Sequence, residues 1–259
     1  MCYLNRILFE TRFQLCYPKR MWKYFCAVFI ISSLSFIETA FAHRDDFIDE
    51  TLVYLTLEKG EIEPEYSYDY GRKDDPNLEG RISFSRHNFA LEYGITEKWM
   101  LDSRITMEDV EHKSPEFESA RFETRFRFYE EGERPIDMAL SAEVNTERNE
   151  DDDLVFGIEP RLIFSRDFNR LNLTLNLPLE IKVDSNDPAF IPSFGLRYHT
   201  PHIIRMGIES RYNLDNHESS IFPQIWFAFS YDVTIKLGYS LGLGRDEEDF
   251  VRIAFEVGF

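Results

Sequence analysis

From Ile62 to Phe259 the chain alternates apolar and polar residues with a period of two, the repeat of a strand whose successive side chains point to opposite faces. The cleanest row sets Leu171, Leu173, Leu175, Leu177, Leu179, Ile181 and Val183 against Asn172, Thr174, Asn176, Glu180 and Lys182. Twelve such segments can be read. The first carries Tyr66, Tyr68 and Tyr70 on one face, and the second, 80–94, opens with Ile82 and Phe84 and continues with Phe89, Leu91 and Tyr93. Its apolar parity changes around Arg86-His87-Asn88, which predicts a β-bulge. Trp99, Leu101, Ile105 and Met107 mark the third, and Ala120, Phe122, Phe126 and Phe128 the fourth. The others span 136–144, 154–164, 171–183, 190–198, 204–214, 221–231, 233–243 and 250–259.

Alternation alone also fits a soluble sandwich, with one face on a core and the other in water. The links decide against it. Short ones, such as Thr96-Glu97-Lys98 and Thr200-Pro201-His202, alternate with long acidic ones at 71–79, 109–116, 146–153, 184–188, 215–219 and 245–249. Strands of about ten residues with that spacing predict an all-β, transmembrane, antiparallel up-and-down barrel with both termini on the periplasmic side. Six long loops imply twelve strands. Ten or fourteen are the neighbouring even counts, because Pro64 and Pro223 interrupt two segments and Phe222 and Trp226 fall on the inward row.

The amino terminus predicts export. Lys23, the apolar run 25–36 and Ala40-Phe41-Ala42 read as a signal peptide over 21–42, preceded by an upstream extension or early start at 1–20 and followed by a periplasmic lead-in, amphipathic helix or partial plug, at 43–59. The barrel itself is read over 60–259. All three cysteines, Cys2, Cys16 and Cys26, lie in the removed part, which leaves no thiol chemistry to the mature chain. Cleavage after Ala42 leaves 24 Lys+Arg against 45 Asp+Glu, a net of −21. That balance excludes nucleic acid as a partner. With 24 Phe and 13 Tyr, the acidity does not signal disorder.

Lipid accounts for the outward residues, so function is sought on the inward face. Along the first strands that face carries Glu61, Glu63, Glu65, Arg81 and Arg104, and along the fourth Arg121, Glu123, Arg125 and Arg127. Glu143, Glu159, Arg161, Glu180 and Lys182 continue it through the middle, followed by Arg197, Arg205, Glu209, Arg211, Lys236, Arg252 and Glu256. Interleaved charges read in three ways: as a paired network that fills the interior, as a narrow hydrated pore in which the Arg121, Arg125 and Arg127 row orders a transverse field, or as a dedicated substrate site. Tyr93, Trp99, Tyr129, Tyr198 and Tyr231 lie beside short turns and would form an interfacial girdle.

The last strand sets Val251, Ile253, Phe255, Val257 and Phe259 on one face and ends on an aromatic carboxyl terminus. It resembles the assembly signal of bacterial outer-membrane barrels, which implies the barrel assembly machinery, outer-membrane lipid and lipopolysaccharide as partners. Phe89-Ala-Leu-Glu-Tyr-Gly-Ile-Thr-Glu-Lys-Trp-Met-Leu101, together with Lys59-Gly-Glu-Ile-Glu-Pro-Glu-Tyr-Ser-Tyr68, is similar to the outer-membrane transporters of the phenol meta-degradation type. That resemblance implies a barrel passing small, aromatic or hydrophobic compounds, and it transfers no functional residues.

The reading is therefore a porin-like barrel for small solutes, without cofactor, metal or enzymatic activity. A non-conducting structural barrel is the first alternative and a lipid hydrolase the second. Asp215, His217 and Ser219 resemble a deacylase's His-x-Ser arrangement, and His112 with Glu108, Asp109 and Glu111 a barrel protease's acidic-His site. Solvated loops explain both. His199 and His202 flank a turn with no third ligand evident, and the acidic tips at 150–153 and 246–249 fit bridging cations or plain solvation. Asp49-Glu50-Thr51-Leu52-Val53 resembles an energy-coupling box, but the chain has no room for the plug domain and larger barrel of those transporters.

Overall fold

The computed structural model describes residue 47 and residues 51–74, 80–111, 114–149, 153–183, 188–200, 203–215, 217–230, 233–244 and 248–259. The leader, the upstream extension, residues 43–46 and 48–50, His112, His202, Tyr231 and most of the two acidic tips lie outside them. Thirteen strands follow one another: β1 Ile62–Asp74, β2 Arg81–Thr96, β3 Trp99–Val110, β4 Glu116–Arg127, β5 Asp137–Arg148, β6 Leu154–Phe168, β7 Leu171–Lys182, β8 Pro188–Phe190, β9 Ser193–His199, β10 Ile204–Tyr212, β11 Ser219–Ser230, β12 Val233–Gly242 and β13 Asp249–Val257. All pairings are antiparallel and join consecutive strands, except that β8 and β9 both pair with β7; β6 pairs β7 and β1 pairs β13, so the sheet closes on itself. No helix occurs among the described residues.

The barrel has twelve staves, because β8 and β9 both pair with β7 in one register, from Leu179↔Phe190 to Asn176↔Ser193. That register sets Ile191 opposite Pro178 and Pro192 opposite Leu177. Two prolines without N–H groups interrupt the ladder there and divide one stave in two.

Closure leaves no unpaired edge, which a strand in hydrocarbon cannot tolerate. The outward row is apolar and unburied: Phe156 keeps 55% of its surface, Val144 54% and Phe89 53%. Such a continuous belt has no counterpart on a water-soluble monomer and is the lipid-facing band of a membrane barrel. Val251, Ile253, Phe255, Val257 and Phe259 all stand on it, and the Ile62 and Phe259 backbones exchange hydrogen bonds of 3.1 and 2.9 Å across the closing seam. Tyr93, Trp99 and Tyr198 stand on the outer face at the short-turn end.

The bulge expected in β2 is absent, since its register runs unbroken from Ile62↔Tyr93 to Asp74↔Arg81. The parity of its apolar residues changes because Phe84 points inward, 1% exposed, into a cluster with Phe222, Phe250 and Ala254. Arg81 therefore belongs to the outer row, where it pairs with Asp249 and, at 3.5 Å, with Asp74. The ladder is shifted instead at Gly94/Thr96, at Thr106/Met107 opposite β4, and at Ala228/Ser230.

Candidate functional site

The lumen has two different halves. At the short-turn end, residues 51–57 run through it as irregular extended backbone, with Thr51, Val53, Tyr54, Thr56 and Leu57 all buried. The Thr51 N–H donates to Glu209 Oε2 (3.0 Å) and its hydroxyl to Ser193 Oγ (3.1 Å), while Asn176 both accepts from the Leu52 N–H and donates to its carbonyl, each at 2.9 Å. Arg125 donates to the carbonyls of Val53 (3.1 Å) and Leu55 (3.5 Å), and the Thr56 hydroxyl donates to the Glu97 carbonyl. These bonds satisfy backbone groups that would otherwise be stranded inside the barrel.

Apolar contacts complete the stopper. Phe47 meets Trp226 edge-on with centroids 5.9 Å apart, and Val53 joins them; Tyr54 packs on Ala139 and Ile163. Burial raises the Tyr54 phenol well above its ordinary range, so it stays neutral. Small inward residues make room: a Cβ on Gly195 would lie 2.5 Å from the Phe47 ring, and one on Gly207 2.2 Å from the Trp226 ring. A Cβ on Gly94 would lie 1.8 Å from the Glu58 carbonyl oxygen, where the segment leaves the lumen; apart from the stopper, one on Gly238 would lie 2.0 Å from the Phe222 ring in the wall cluster with Phe84 and Phe250. The segment expected as a lead-in has no helix over 51–59, and the Glu58 N–H docks on Glu61 Oε2 at 2.8 Å.

Between the halves the inward charges are paired. Lys236, buried between strands, contacts Glu256 and lies 3.8 Å from Glu65, which is 3.5 Å from Arg104. Arg252 grips Asp69 with two bonds of 2.6 and 2.7 Å, Asn88 donates to Asp69 and Ser67, and the Thr106 hydroxyl donates to Asn88. Arg125 binds Glu123 at 3.0 Å, and Gln224 donates to Glu209 at 2.7 Å. A buried pair of this kind holds geometry more than it adds stability. Glu63 and Arg197 are buried on the inner face, and Arg205 is half-buried there. Arg127 points inward too, but it leaves the expected arginine row to bind the Glu97 carbonyl (2.8 Å) and Glu130 (2.9 Å) at the turn end.

The half beneath the long loops is a polar cavity of about 500 Å³. Ser193, which holds Thr51, also lines it, so the cavity adjoins the stopper. Of the expected inward residues, Arg121, Glu143, Glu159, Arg161, Glu180, Arg211 and Arg252 reach it, and Lys182 sits behind Glu147 (2.6 Å) and Glu180 (3.6 Å). Sequence reasoning missed Arg86, which lines the cavity while bound to Glu108 (2.7 Å) and Glu248 (2.6 Å), and Glu118, the unpaired residue of the β4 bulge. The signal for Glu118 was present in the chain: Phe117 is out of phase with Phe122.

The hydrolytic constellation does not assemble. His217 Nδ1 is bonded to the Tyr212 hydroxyl at 3.1 Å, the Asp215 carboxylate accepts the Phe190 N–H, and among the described residues no bond joins His217 to Ser219. No cluster of three metal-ligating side chains occurs among the described residues.

No family model matches the chain, and no curated protein matches it. Solved structures do. The outer-membrane channel from Pseudomonas putida F1 gives a TM-score of 0.59 at 12% identity, covering 83% of this chain and 100% of that one. The fold is that of the outer-membrane β-barrels. The KdgM porin gives 0.56 at 9% identity, over 76% and 99% of the two chains, and the NanC porin 0.53 at 10%, over 76% and 98%. The KdgM porin has also been solved in complex with disordered oligogalacturonate.

Proposed function

We propose that this chain is an outer-membrane channel for the passive entry of small polar solutes, with its long loops outside, its termini in the periplasm and its path throttled by its own amino-terminal segment. The observation that carries the reading is the polar cavity inside the barrel beneath the long loops, which meets the stopper at Ser193, the residue that holds Thr51. A filled barrel needs no such chamber. The resemblance to phenol meta-degradation transporters extends the proposal to small aromatic compounds, whereas the charged lining favours solutes that carry charge.

The non-conducting alternative draws support from the same stopper, so the two readings part at one experiment. Single-channel conductance is measured for the protein beginning at residue 43 and for a variant lacking 43–59. Discrete steps that grow at least severalfold on deletion support a throttled channel. Silence from both, with heat-modifiable migration showing folded barrels, overturns passage.

A further inference from the structure

The chamber is not electrically even. Its lining holds seven carboxylates and five guanidiniums, a net of −2. The excess sits on one wall. Strands β4–β7 contribute Glu118, Glu143, Glu147, Glu159 and Glu180 against Arg121 and Arg161, while β10, β13 and β2, across the twelve-stave ring, contribute Arg211, Arg252 and Arg86.

Charges of both signs are largely satisfied already, with Glu159 paired to Arg161, Glu147 and Glu180 to Lys182, and Glu143 accepting from Asn145. Arg252 is held bidentately by Asp69, Arg86 is bound by Glu108 and Glu248, and Arg161 by Glu159 at 3.0 Å. Arg121 lies 3.9 Å from Glu143, and Arg211 interacts electrostatically with Glu180. An entering anion must therefore compete with a carboxylate already in place. Glu118 is different: the bulge between Thr106↔Ser119 and Met107↔Phe117 turns it out of the ladder toward the chamber, and among the described residues it has no hydrogen-bond or ion-pair partner. A bulge is a common device for re-aiming one side chain at a site; Arg86 and Lys73 attract Glu118 through space but neither is bonded to it, so its field reaches the chamber.

We infer that the chamber is a binding site for small organic cations, taking an amine against Glu118 on the β4 wall, and that Glu118 sets the channel's preference for cationic over anionic solutes. The inference rests on the reading of the lumen as a solute path. A chamber of about 500 Å³ suits a ligand of amino-acid to small-drug size. The KdgM porin's oligogalacturonate is a polyanion, so the two similar barrels would serve opposite charges.

Equilibrium binding separates this inference from passage itself. Calorimetric titration of the barrel, purified whole from outer membranes, uses cadaverine and the dicarboxylate glutarate as probes of matched length. The expected result is saturable cadaverine binding, no detectable glutarate binding, and about tenfold weaker cadaverine binding in Glu118→Gln, the effect of losing one charge pair. Glutarate binding as tightly, no cadaverine binding to the wild type, or an unchanged affinity in E118Q would each overturn it. Cadaverine binding to a barrel that is silent in bilayers would keep the site and remove only the passage.

Discussion

The two halves of the lumen are built from the same kind of wall and end in different states. At the turn end, inward glycines and alanine leave hollows that Phe47, Tyr54 and Trp226 fill, and polar side chains are used up on the backbone of residues 51–57. At the loop end the inward residues are long and charged, they pair sideways along the wall, and a chamber remains. What fills a barrel of this diameter is therefore not its circumference but the size of its inward side chains and whether a strand-free segment is available to satisfy them.

The largest effect should come from removing the stopper. Lacking 43–59, the barrel keeps every strand pairing, so it should still fold while its conductance and its permeability to small solutes rise by an order of magnitude in bilayers and in liposome swelling. Unchanged conductance would mean that the constriction lies elsewhere and that the two halves differ only in appearance.

A smaller opening is expected from Arg125→Met. Burying the stopper's apolar side chains is worth about 2 kcal/mol each, while fixing its backbone costs about 1–2 kcal/mol per residue. These nearly cancel, so the charge-assisted bonds from Arg125 to Val53 and Leu55 tip the balance. Removing them should raise open probability severalfold and expose residues 51–59 to protease. The variant also strands Glu123, buried beside Arg125, so a loss of about 3 kcal/mol in barrel stability accompanies the opening. Glu123→Gln combined with Arg125→Met should recover part of that stability without closing the channel.

Gly238→Ala tests the packing directly. The new methyl would start 2.0 Å from the Phe222 ring, and Phe222 is locked against Phe84 and Phe250. Overpacking of this kind costs about 1–3 kcal/mol, which denaturant unfolding in detergent would register, while conductance should move little because this cluster lines the wall rather than the stopper.

Lipid made the fold legible. Every outward residue meets the same solvent, so the alternation survives along whole strands and the count of twelve staves follows from it. Inside, the chain meets water at one end and its own stopper at the other, and no single polarity rule covers both. Phe84, Phe222 and Trp226 are apolar and inward for that reason, and Phe84 produced the appearance of a bulge where the backbone is straight. Residues 51–57 carry no period at all, since their side chains face several strands at once. The charged inward rows were readable as rows. Their division into a stoppered end and an acidic chamber was not, because it depends on pairings such as Arg252 with Asp69 between residues 183 positions apart.

The smallest expected effect concerns Arg81, which the apparent bulge had placed inside. In the structure it stands on the outer face at the rim of the long loops, partly exposed, bridging Asp249, Asp74 and the Arg72 carbonyl. Ion pairs in such positions are screened and contribute about 0.5 kcal/mol, so Arg81→Ala should leave both stability and ion selectivity close to those of the wild type. Arg86→Ala, five residues along and on the other parity, should not: it removes the shared partner of Glu108 and Glu248 and leaves the chamber more acidic. Reversal potentials under a salt gradient, measured in the variant without residues 43–59, should shift toward cations for Arg86→Ala and stay put for Arg81→Ala. Equal shifts for the two would return Arg81 to the lumen and with it the bulge that the register of β1 with β2 denies.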